Sequence, residues 1–389
     1  MSLADEAKLL LIPSGYKSGK VYSVFPTDGD GDFTFSRSGN ASRVNPGGYI
    51  ETDGTNIPRI DHTGGGCPSL LLEPQRTNEF TYSEEFNQSV WFKSISTITT
   101  NQIIAPDGTL TADLLRSLGN NGGVFRFSGW QTTQKTISIF VKKDTSITAE
   151  IYNASSSTNK VIFNLDTGTI TQEGGTMTGK IENYGNGWYR ISATHTATGN
   201  QTFGLKPQTN QRIFIWGAQS ETASYSSSYI KTTSGLITRQ KDICINGGDA
   251  DLFDITEGSF FVDVLPFNNG TVNTISLSNG TFSQRILIQF QSNGTQVRLY
   301  SNGGVSNYQT ITFNQRNKIL VTFKLNEYKF YINGSLGSTD TSATVPIGLD
   351  RVNFSNSAAN SNFFPGKVHD TRVYNKVLTQ SEAIQLTTL

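Results

Sequence analysis

The sequence contains few of the residues on which most catalytic and metal-binding sites depend. It has two cysteines and three histidines among 389 residues. Cys67 and Cys244 are too far apart to form a zinc motif or a disulfide framework, so we expect both to be buried structural residues. There is no Gly-x-Ser-x-Gly elbow, and the glycines at 64–66 precede Cys-Pro rather than a helix with Lys and Ser or Thr. These absences argue against nucleophilic and nucleotide-dependent catalysis.

Charge is also scarce. Charged residues make up 16% of the chain and balance at 31 basic and 31 acidic. No basic stripe follows any segment, which argues against nucleic acid as a partner. The apolar run from Leu9 to Ile12 is too short for a signal-peptide core or a membrane span. We therefore expect no membrane insertion and no general secretory export, so that a protein acting outside the cell would leave by another path, such as lysis.

The carboxylates do not form a recognisable hydrolytic pair. Sugar-cleaving sandwich enzymes commonly carry Glu-x-Asp-x-x-Glu on one strand, and this pattern is absent. Glu84 and Glu85 are adjacent, so on a strand they would face opposite ways. His62, His195 and His369 lie in different regions, and we expect a structural role for each. The sequence predicts that the protein is not an enzyme; a polysaccharide depolymerase is the less favoured alternative.

What the sequence has in abundance is turn chemistry between short alternating segments. There are 38 glycines, and Asn-Gly pairs, the strongest local hairpin signal, punctuate the last third of the chain. Apolar residues recur at every second position, which is typical of strands with one buried face. The fold class predicted is all-β, with antiparallel sandwich (jelly-roll) domains. Strands are predicted at 136–142, 147–152, 160–165, 188–194, 211–217, 258–265, 274–278, 284–290, 296–300, 309–313, 318–324 and 328–332.

The chain divides into four regions. Residues 1–78 are irregular and rich in Asp-Gly turns, which suggests a segment that packs against another domain, subunit or partner. Residues 79–232 and 241–389 are predicted to form two β-sandwiches, with 233–240 as a polar linker. A short helix is predicted at 3–10, and a closing helical turn with a Thr cap at 379–386.

Three aspartates in the first region raise the question of a metal. Asp28, Asp30 and Asp32 alternate with glycine as at the start of a calcium loop. An EF-hand loop would continue with Gly at its sixth position and Glu at its twelfth, where this chain has Phe33 and Gly39. An acidic turn is the preferred interpretation. No cofactor is expected, although calcium in another geometry stays open because carboxylates are suitable ligands.

Aromatic residues are the remaining candidates for a binding site. Flat aromatic rings stack on the apolar faces of sugars, while Asn, Gln and Asp take the hydroxyls. Trp188 and Trp216 lie within strand patterns and are predicted to be core residues. Trp91 lies near a domain start, Trp130 beside a Ser-Gly turn, and Tyr300 and Tyr308 flank an Asn-Gly-Gly loop. The candidate glycan-binding residues are therefore Trp91, Trp130, Tyr300 and Tyr308.

Long ordered stretches of the chain resemble known proteins. The first region resembles the N-terminal region of tailed-bacteriophage fibre and head-spike proteins, through the stretches at 9–37, 41–45, 48–51, 57–59 and 70–78. Residues 79–232 are similar to a carbohydrate-binding-module-like jelly roll, through 82–86, 105–113, 187–190, 215–219 and 228–233, although Lys231 stands where Pro usually follows Tyr-Ile. Residues 241–389 resemble a concanavalin-like, laminin-G-type sandwich, mainly through 364–374 and 378–383.

The resemblance implies a structural protein of a phage particle. Such a protein is expected to be a homotrimer on the virion surface, in a tail fibre, head fibre or decoration, with residues 1–78 as its anchor or oligomerisation region. It would be made in the host cytoplasm and released by lysis. Its expected partners are other virion proteins and host-surface polysaccharide, bound by the two sandwiches for host attachment. A purely architectural decoration protein without glycan binding is the alternative.

Overall fold

The computed structural model describes residues 2–131, 133–156, 158–196, 199–253, 256–357 and 361–389; the side chains at 128–131 and 200 are left out of the description. Within these residues the protein has 33 strands and one short helix, which confirms the predicted all-β class. The strands of its sheets pair in antiparallel fashion. Among the described residues, no helix has the length and hydropathy needed to cross a membrane.

The middle of the chain forms a sandwich of two six-stranded sheets, in the orders β10-β13-β20-β15-β16-β17 and β11-β12-β21-β14-β19-β18. Alternate residues of β14, such as Ile137, Ile139 and Val141, enter the core between the sheets, which explains the period of two. The strands are β10 (Phe92–Ser94), β11 (Ser96–Ile103), β12 (Ala112–Ser117), β13 (Gly123–Gln131), β14 (Gln134–Lys143), β15 (Thr148–Asn153), β16 (Lys160–Asn164), β17 (Thr169–Gly174), β18 (Met177–Asn183), β19 (Trp188–Thr196), β20 (Gly199–Pro207) and β21 (Arg212–Glu221).

The C-terminal part forms a second sandwich. Its five-stranded sheet has the order β28-β27-β26-β25-β32, and its larger sheet contains β31-β30-β29-β24-β33. Both sheets contribute to one continuous apolar core. The strands are β24 (Gly258–Pro266), β25 (Asn273–Ser278), β26 (Arg285–Phe290), β27 (Gln296–Ser301), β28 (Val305–Thr310), β29 (Asn317–Lys324), β30 (Glu327–Ile332), β31 (Ser335–Asp340), β32 (Arg351–Asn353) and β33 (Gly366–Tyr374).

The first 78 residues pack against the C-terminal sandwich and extend its larger sheet. Next to β33 the sheet continues through β8 and β7, and β1 pairs with a different stretch of β33. The sequence predicts that this segment packs against another domain, a subunit or a partner. In the structure it packs against another domain of the same chain. Its strands are β1 (Leu9–Leu11), β2 (Tyr16–Lys17), β3 (Lys20–Val21), β4 (Phe33–Ser36), β5 (Ala41–Val44), β6 (Ile50–Asp53), β7 (Ile60–Asp61), β8 (Ser69–Leu72) and β9 (Arg76–Asn78).

The polar joint between the sandwiches also pairs with this segment. Its two strands are β22 (Ile237–Arg239), which pairs with β9, and β23 (Ile243–Ile245), which pairs with β4. The domain boundaries drawn from the sequence stay a prediction. The structure adds that the first region and the last share one sheet although the middle sandwich separates them along the chain.

Two local predictions are wrong. The helix expected at 3–10 is absent: turns occupy residues 3–6, and β1 begins at Leu9 because Leu9 to Leu11 pair with β33 and are buried. The strand expected at 309–313 lies earlier, at Val305–Thr310, where its residues pair with β27. In the first case the pairing with a distant strand determines the element, and in the second the hairpin with β27 determines where the strand lies.

The closing helix agrees with its predicted cap. The helix α1 runs over Gln380–Thr387, with Thr379 as N-cap. The Glu382 backbone N–H donates to Thr379 Oγ1, and the Glu382 carboxylate accepts from the Thr379 backbone N–H at 2.7 Å. This reciprocal capping box satisfies two groups that the first turn of a helix leaves unpaired. The prediction of a Thr-capped terminal helix is confirmed.

Buried charges connect the N-terminal segment with the joint. Arg59 Nη1 donates to Glu73 Oε2 at 2.6 Å, and Arg59 Nη2 donates to Asp242 Oδ2. Arg37 Nη1 donates to Asp242 Oδ1 at 3.0 Å, and Arg239 Nη1 lies 3.0 Å from Glu73 Oε2. Every residue of this group is at most 3% exposed. We call it the junction cluster, and its members are Arg37, Arg59, Glu73, Arg239 and Asp242.

The middle sandwich is tied to the same cluster. The Ser228 backbone N–H and hydroxyl donate to the two oxygens of Glu73 at 2.8 and 2.7 Å. Arg59 Nη1 and Arg239 Nη1 each donate to Ser228 Oγ, at 2.8 and 2.7 Å. The junction cluster therefore connects three parts of the chain, and each carboxylate in it is held by at least two arginines.

Candidate functional site

The outward face of the five-stranded sheet carries an unusual arrangement of arginine and aromatic residues. Along β27, Val297 and Leu299 point into the sandwich core, so Arg298 and Tyr300 point outward by the alternation of a strand. Tyr308 of β28 is directly opposite Arg298 in the register. The side chains of Arg298 and Tyr308 therefore stand side by side on the same face.

Arg298 lies between two tyrosine rings. Its Cζ is 4.7 Å from the ring centroid of Tyr300 and 5.3 Å from that of Tyr308, within the range of a cation–π contact. Its Nε and Nη2 donate to Ser306 Oγ at 3.1 and 2.9 Å, and its Nη1 donates to Gln289 Oε1 at 3.4 Å. These contacts fix the plane of the guanidinium and the angle of both rings.

Arg285 repeats the pattern on the neighbouring strand. Its Cζ is 5.7 Å from the Tyr300 ring centroid and 4.9 Å from that of Phe282, in the loop before β26. Its Nε donates to Asn302 Oδ1 at 3.1 Å and its Nη1 to Asn356 Oδ1 at 2.6 Å. The five stacked side chains form what we call the Arg–aromatic ladder, which consists of Phe282, Arg285, Tyr300, Arg298 and Tyr308.

The ladder offers both apolar ring faces and polar groups to solvent. Tyr308 is 48% exposed and Phe282 is 53% exposed, at its two ends, while Tyr300 and both arginines are half-buried. Around it lie the amides of Gln289 and Asn302 and the hydroxyl of Ser306. Exposed ring faces next to amides and guanidinium groups are suited to a ligand that is itself amphipathic, with apolar faces and polar edges, such as a sugar.

The structure therefore unites two of the predicted site residues, Tyr300 and Tyr308, through an arginine between them. Sequence reasoning missed Arg285, Arg298 and Phe282. A signal for the arginines was available, because both occupy outward positions of predicted strands at 284–290 and 296–300. What no local pattern shows is that these positions on separate strands lie within reach of one another.

Trp91 is a correction. The sequence offers it as a candidate glycan-binding residue, yet it is 4% exposed and packs against Phe80 and Phe86 at centroid distances of 5.3 and 5.0 Å. Its Nε1 donates to the Tyr82 carbonyl at 2.9 Å, so both the ring and its polar atom are satisfied inside the middle sandwich. No ring face is left for stacking. The side chain of Trp130 lies outside the described residues.

Trp188 and Trp216 are core residues, as predicted, at 2% and 1% exposed. The cysteines differ from each other: Cys244 is buried, but Cys67 is exposed, so the prediction of burial is wrong for Cys67. Cys67 follows three glycines with positive φ in a surface turn, where the chain cannot shield a side chain.

Asp28, Asp30 and Asp32 make local contacts instead of converging on one point. Asp28 Oδ1 accepts from the Asp30 backbone N–H at 3.1 Å. Asp32 accepts from the Ser23 backbone N–H at 3.0 Å and lies 3.2 Å from Lys20 Nζ. Repulsion from Asp28 raises the pKa of Asp30. The described residues include no group of three His, Cys, Asp or Glu side chains placed to hold a metal, and calcium binding stays an untested prediction.

A second aromatic surface lies on the middle sandwich. Phe92 stacks on Phe125 at 5.5 Å between centroids and meets Phe127 edge-on at 5.4 Å, and Phe127 is 61% exposed. Nearby, Tyr152 lies over Gly204, where a Cβ would approach its ring to 2.4 Å. Lys206 Nζ lies 4.9 Å from the Tyr152 ring centroid, so a charged group accompanies the rings here too. We call this group of Phe92, Phe125, Phe127 and Tyr152 the comparison surface.

A cavity of about 480 Å³ with both polar and apolar walls lies where the N-terminal segment meets both sandwiches. Its charged walls are largely neutralised: Lys367 pairs with Asp61 at 2.8 Å, and Lys180 pairs with Glu182 at 2.8 Å. The cavity is best interpreted as part of the junction between the domains, because most of its charged groups are already in ion pairs.

His195 has the surroundings expected of a structural histidine. It is 2% exposed, and burial lowers its pKa. Its Nδ1 lies 2.9 Å from Thr176 Oγ1 and its Nε2 lies 3.3 Å from the Gln201 and Asn153 amides. These neutral partners do not supply the carboxylate that orients a catalytic histidine.

Comparison with known proteins agrees with the sandwich at the C-terminal end. Residues 258–383, less than half of the chain, match the family described as the Concanavalin A-like lectin/glucanases superfamily, of the laminin-G type. This match confirms the concanavalin-like domain expected there. A comparison with curated proteins gave no match.

Several solved structures match parts of the chain, with low sequence identity and low TM-scores. One is the Ruminococcus gnavus IT-sialidase CBM40 bound to α2,3-sialyllactose, at 15% identity and TM-score 0.31, covering 35% of this chain and 84% of that one. Another is domain 4 of the Geobacillus stearothermophilus arabinanase AbnA in complex with arabinotriose. It has 16% identity and a TM-score of 0.32, and the match covers 42% of this chain and 82% of that one. A third is a Limulus polyphemus SAP-like pentraxin. It has 17% identity and a TM-score of 0.27, and the match covers 33% of this chain and 69% of that one.

Proposed function

We propose that this protein binds glycans without cleaving them, and that the Arg–aromatic ladder is the surface that contacts the sugar. The observation that carries the proposal is the ladder itself: exposed Tyr308 and Phe282 rings held in place by stacked arginines, on the outer face of a concanavalin-like sandwich. Holding the rings in advance reduces the ordering cost that a flexible aromatic would incur on binding.

The ladder would contact a sugar in two ways, by ring stacking and by hydrogen bonds. The ring faces would stack on the apolar faces of successive sugar units, and Gln289, Asn302 and Ser306 would take hydroxyl groups at their edges. A shallow, open face of this kind gives weak single-site binding. Repeating it on a particle or an oligomer raises the overall avidity by roughly 10²–10⁴ where the geometry allows simultaneous contact.

We also propose that the protein is displayed on a virion as a homotrimer, in a fibre or as a decoration. The support is the resemblance of residues 9–78 to the N-terminal region of phage fibre and head-spike proteins. Sedimentation equilibrium on the purified full chain should give three times the chain mass of 42.5 kDa. A mass that stays at one chain over a wide concentration range would contradict the trimer.

The ladder is tested by substitution in the full chain. Tyr308→Ala should weaken binding to glycans that the wild type binds on an array by about 10-fold or more, which corresponds to about 1.4 kcal/mol of lost stacking. The fold should be retained, because substitutions at exposed positions usually change stability by less than about 0.5 kcal/mol. The matched control is Phe127→Ala, which removes a similarly exposed ring from the comparison surface of the middle sandwich.

Each result decides between specific alternatives. Loss with Tyr308→Ala and retention with Phe127→Ala supports the ladder; the reverse pattern would assign recognition to the middle sandwich. If the wild type binds no glycan, the purely architectural role replaces the proposal. Release of new reducing ends from a bound polysaccharide would favour the depolymerase.

A further inference from the structure

The arginines of the ladder stand in a part of the chain that has no acidic residue. Between Asp263 and Glu327 the sequence contains neither Asp nor Glu, and this interval includes β25 to β28, four strands of the five-stranded sheet. The two flanking carboxylates are engaged elsewhere: Asp263 binds Arg316 at 2.6 Å, and Glu327 lies 3.2 Å from Lys329. The outward face thus carries positive charge without local compensation.

Other arginines of the same sandwich show the usual arrangement. Arg351 is 2.6 Å from Asp350, and Arg372 is 2.5 Å from Asp370. By contrast, neither Arg285 nor Arg298 forms an ion pair with any described residue; their hydrogen-bond acceptors are neutral amides and a hydroxyl. Because both are half-buried against rings, part of their hydration is already removed without an anion to replace it.

Both guanidinium groups also keep donors available. A guanidinium has five N–H groups; the described hydrogen bonds use three of them in Arg298 and two in Arg285. Guanidinium groups match carboxylates and sulfates geometrically, and such charge-assisted hydrogen bonds are roughly twice as strong as neutral ones. A sugar stacked on Tyr300 or Tyr308 would bring an acidic substituent next to them.

We infer that the ladder selects acidic glycans, in which a carboxylate or sulfate on the sugar pairs with Arg298 or Arg285 while the ring stacks on the tyrosines. This inference rests on the proposed function of the same face and specifies its ligand class. Selectivity comes from charge and affinity from stacking, so the two are separable by experiment.

The test compares matched acidic and neutral ligands on the full-length protein. The probes are polygalacturonate with its carboxyl-reduced counterpart, and dextran sulfate with dextran, measured by biolayer interferometry at low and high salt. At least one acidic probe should bind about 10-fold or more tighter than its neutral counterpart, and added salt should reduce this ratio. Arg298→Gln and Arg285→Gln should bring the ratio towards one.

Two further variants keep the result interpretable. Lys324→Gln removes one positive charge from the same sandwich away from the ladder, where Lys324 is exposed, and should leave the ratio unchanged. Arg298→Lys keeps the charge but loses the planar stack, so it should weaken acidic and neutral ligands together. Thermal melting of each variant shows whether the fold is retained.

The outcomes separate this inference from the proposed function. Equal binding of an acidic glycan and its neutral counterpart overturns the inference and leaves glycan binding standing; no binding to any probe overturns both. Selectivity for only one of the two acidic probes assigns the anion as carboxylate or sulfate. Tighter binding of a single-stranded oligonucleotide, a polyanion that also stacks on aromatic rings, would replace glycan with nucleic acid.

Discussion

Arg59→Met should lower the free energy of unfolding by about 3–5 kcal/mol, because Glu73 and Asp242 each lose one of the two arginines that hold them and cannot replace its hydrogen bonds with water. Arg59 is fully buried and is the residue that contacts both Glu73 and Asp242 in the junction cluster. Methionine fills similar space but donates no hydrogen bond. Urea unfolding followed by tryptophan fluorescence measures the change.

The effect should depend on pH in a defined direction. Burial alone would raise the pKa of Glu73, but the positive charges of Arg239 and Arg59 and the Ser228 hydrogen bonds outweigh it and hold this pKa well below its usual range. A carboxyl whose pKa is lowered in the folded state stabilises the protein above its unfolded pKa of about 4.3, and this contribution is lost as the pH falls. The difference between wild type and Arg59→Met should therefore shrink as the solution is made more acidic than about pH 4.

The control is an ion pair on the surface. Lys143 and Asp166 lie 2.5 Å apart and their side chains are 41% and 43% exposed, so Lys143→Met should cost at most about 1 kcal/mol. If Arg59→Met costs no more than Lys143→Met, the buried ion pairs of Arg59 do not stabilise the junction cluster, and buried charge pairing is not what stabilises this junction.

A fragment of residues 79–389 should fail to form the native C-terminal sandwich. It lacks β1, β7 and β8, which belong to the larger sheet of that sandwich. Leu9, Leu11, Leu70 and Leu72 of the missing strands are each at most 1% exposed and lie in the C-terminal core. Removing one buried leucine side chain typically costs about 2–5 kcal/mol, so losing four would exceed a typical total stability of about 5–15 kcal/mol.

Two measurements on the fragment, and two point variants of the full chain, test this prediction. Size-exclusion chromatography and hydrogen exchange should show an aggregated or largely unprotected C-terminal part in the fragment. The full chain with Leu70→Ala should fold but lose about 2–5 kcal/mol, while Leu325→Ala, at a position 63% exposed, should change little. A monodisperse fragment with wild-type protection in β24 and β33 would show that the N-terminal strands are dispensable.

Local elements are largely predictable because their causes are local. The alternation at 136–142 predicts a strand, and β14 follows it, with Ile137, Ile139 and Val141 in the core between the sheets. The prediction of a single buried face is wrong, because Phe140 on the opposite face is buried in a second apolar cluster. Asn333 and Gly334 both adopt positive φ, at 48° and 82°, in the turn between β30 and β31, as an Asn-Gly pair favours. Thr379 caps the closing helix because its hydroxyl and Glu382 satisfy groups within the same turn. Each of these depends on neighbours within a few residues.

The burial of single aromatic residues is less predictable. Trp91 lies in a short turn-rich stretch that carries no periodicity, so its sequence does not show that Phe80, Phe86 and Arg126 surround it. Tyr308 is a candidate from its position near a loop, but its stacking on Arg298 depends on the register between β27 and β28. Register is determined by the whole sheet, and a shift of one residue would place these side chains on opposite faces.

The sequence by itself determined the all-β class, most strand positions, the hairpin turns and the capped helix, because alternation and turn chemistry act over a few residues. It also determined the charge distribution, including the long interval without acidic residues around Arg285 and Arg298. Only the tertiary structure decided that β1 and β8 join β33 from the other end of the chain, that the junction cluster is buried, and that the ladder assembles across strands. The physical reason is that a strand's pattern specifies which face is buried but not which distant strand will bury it.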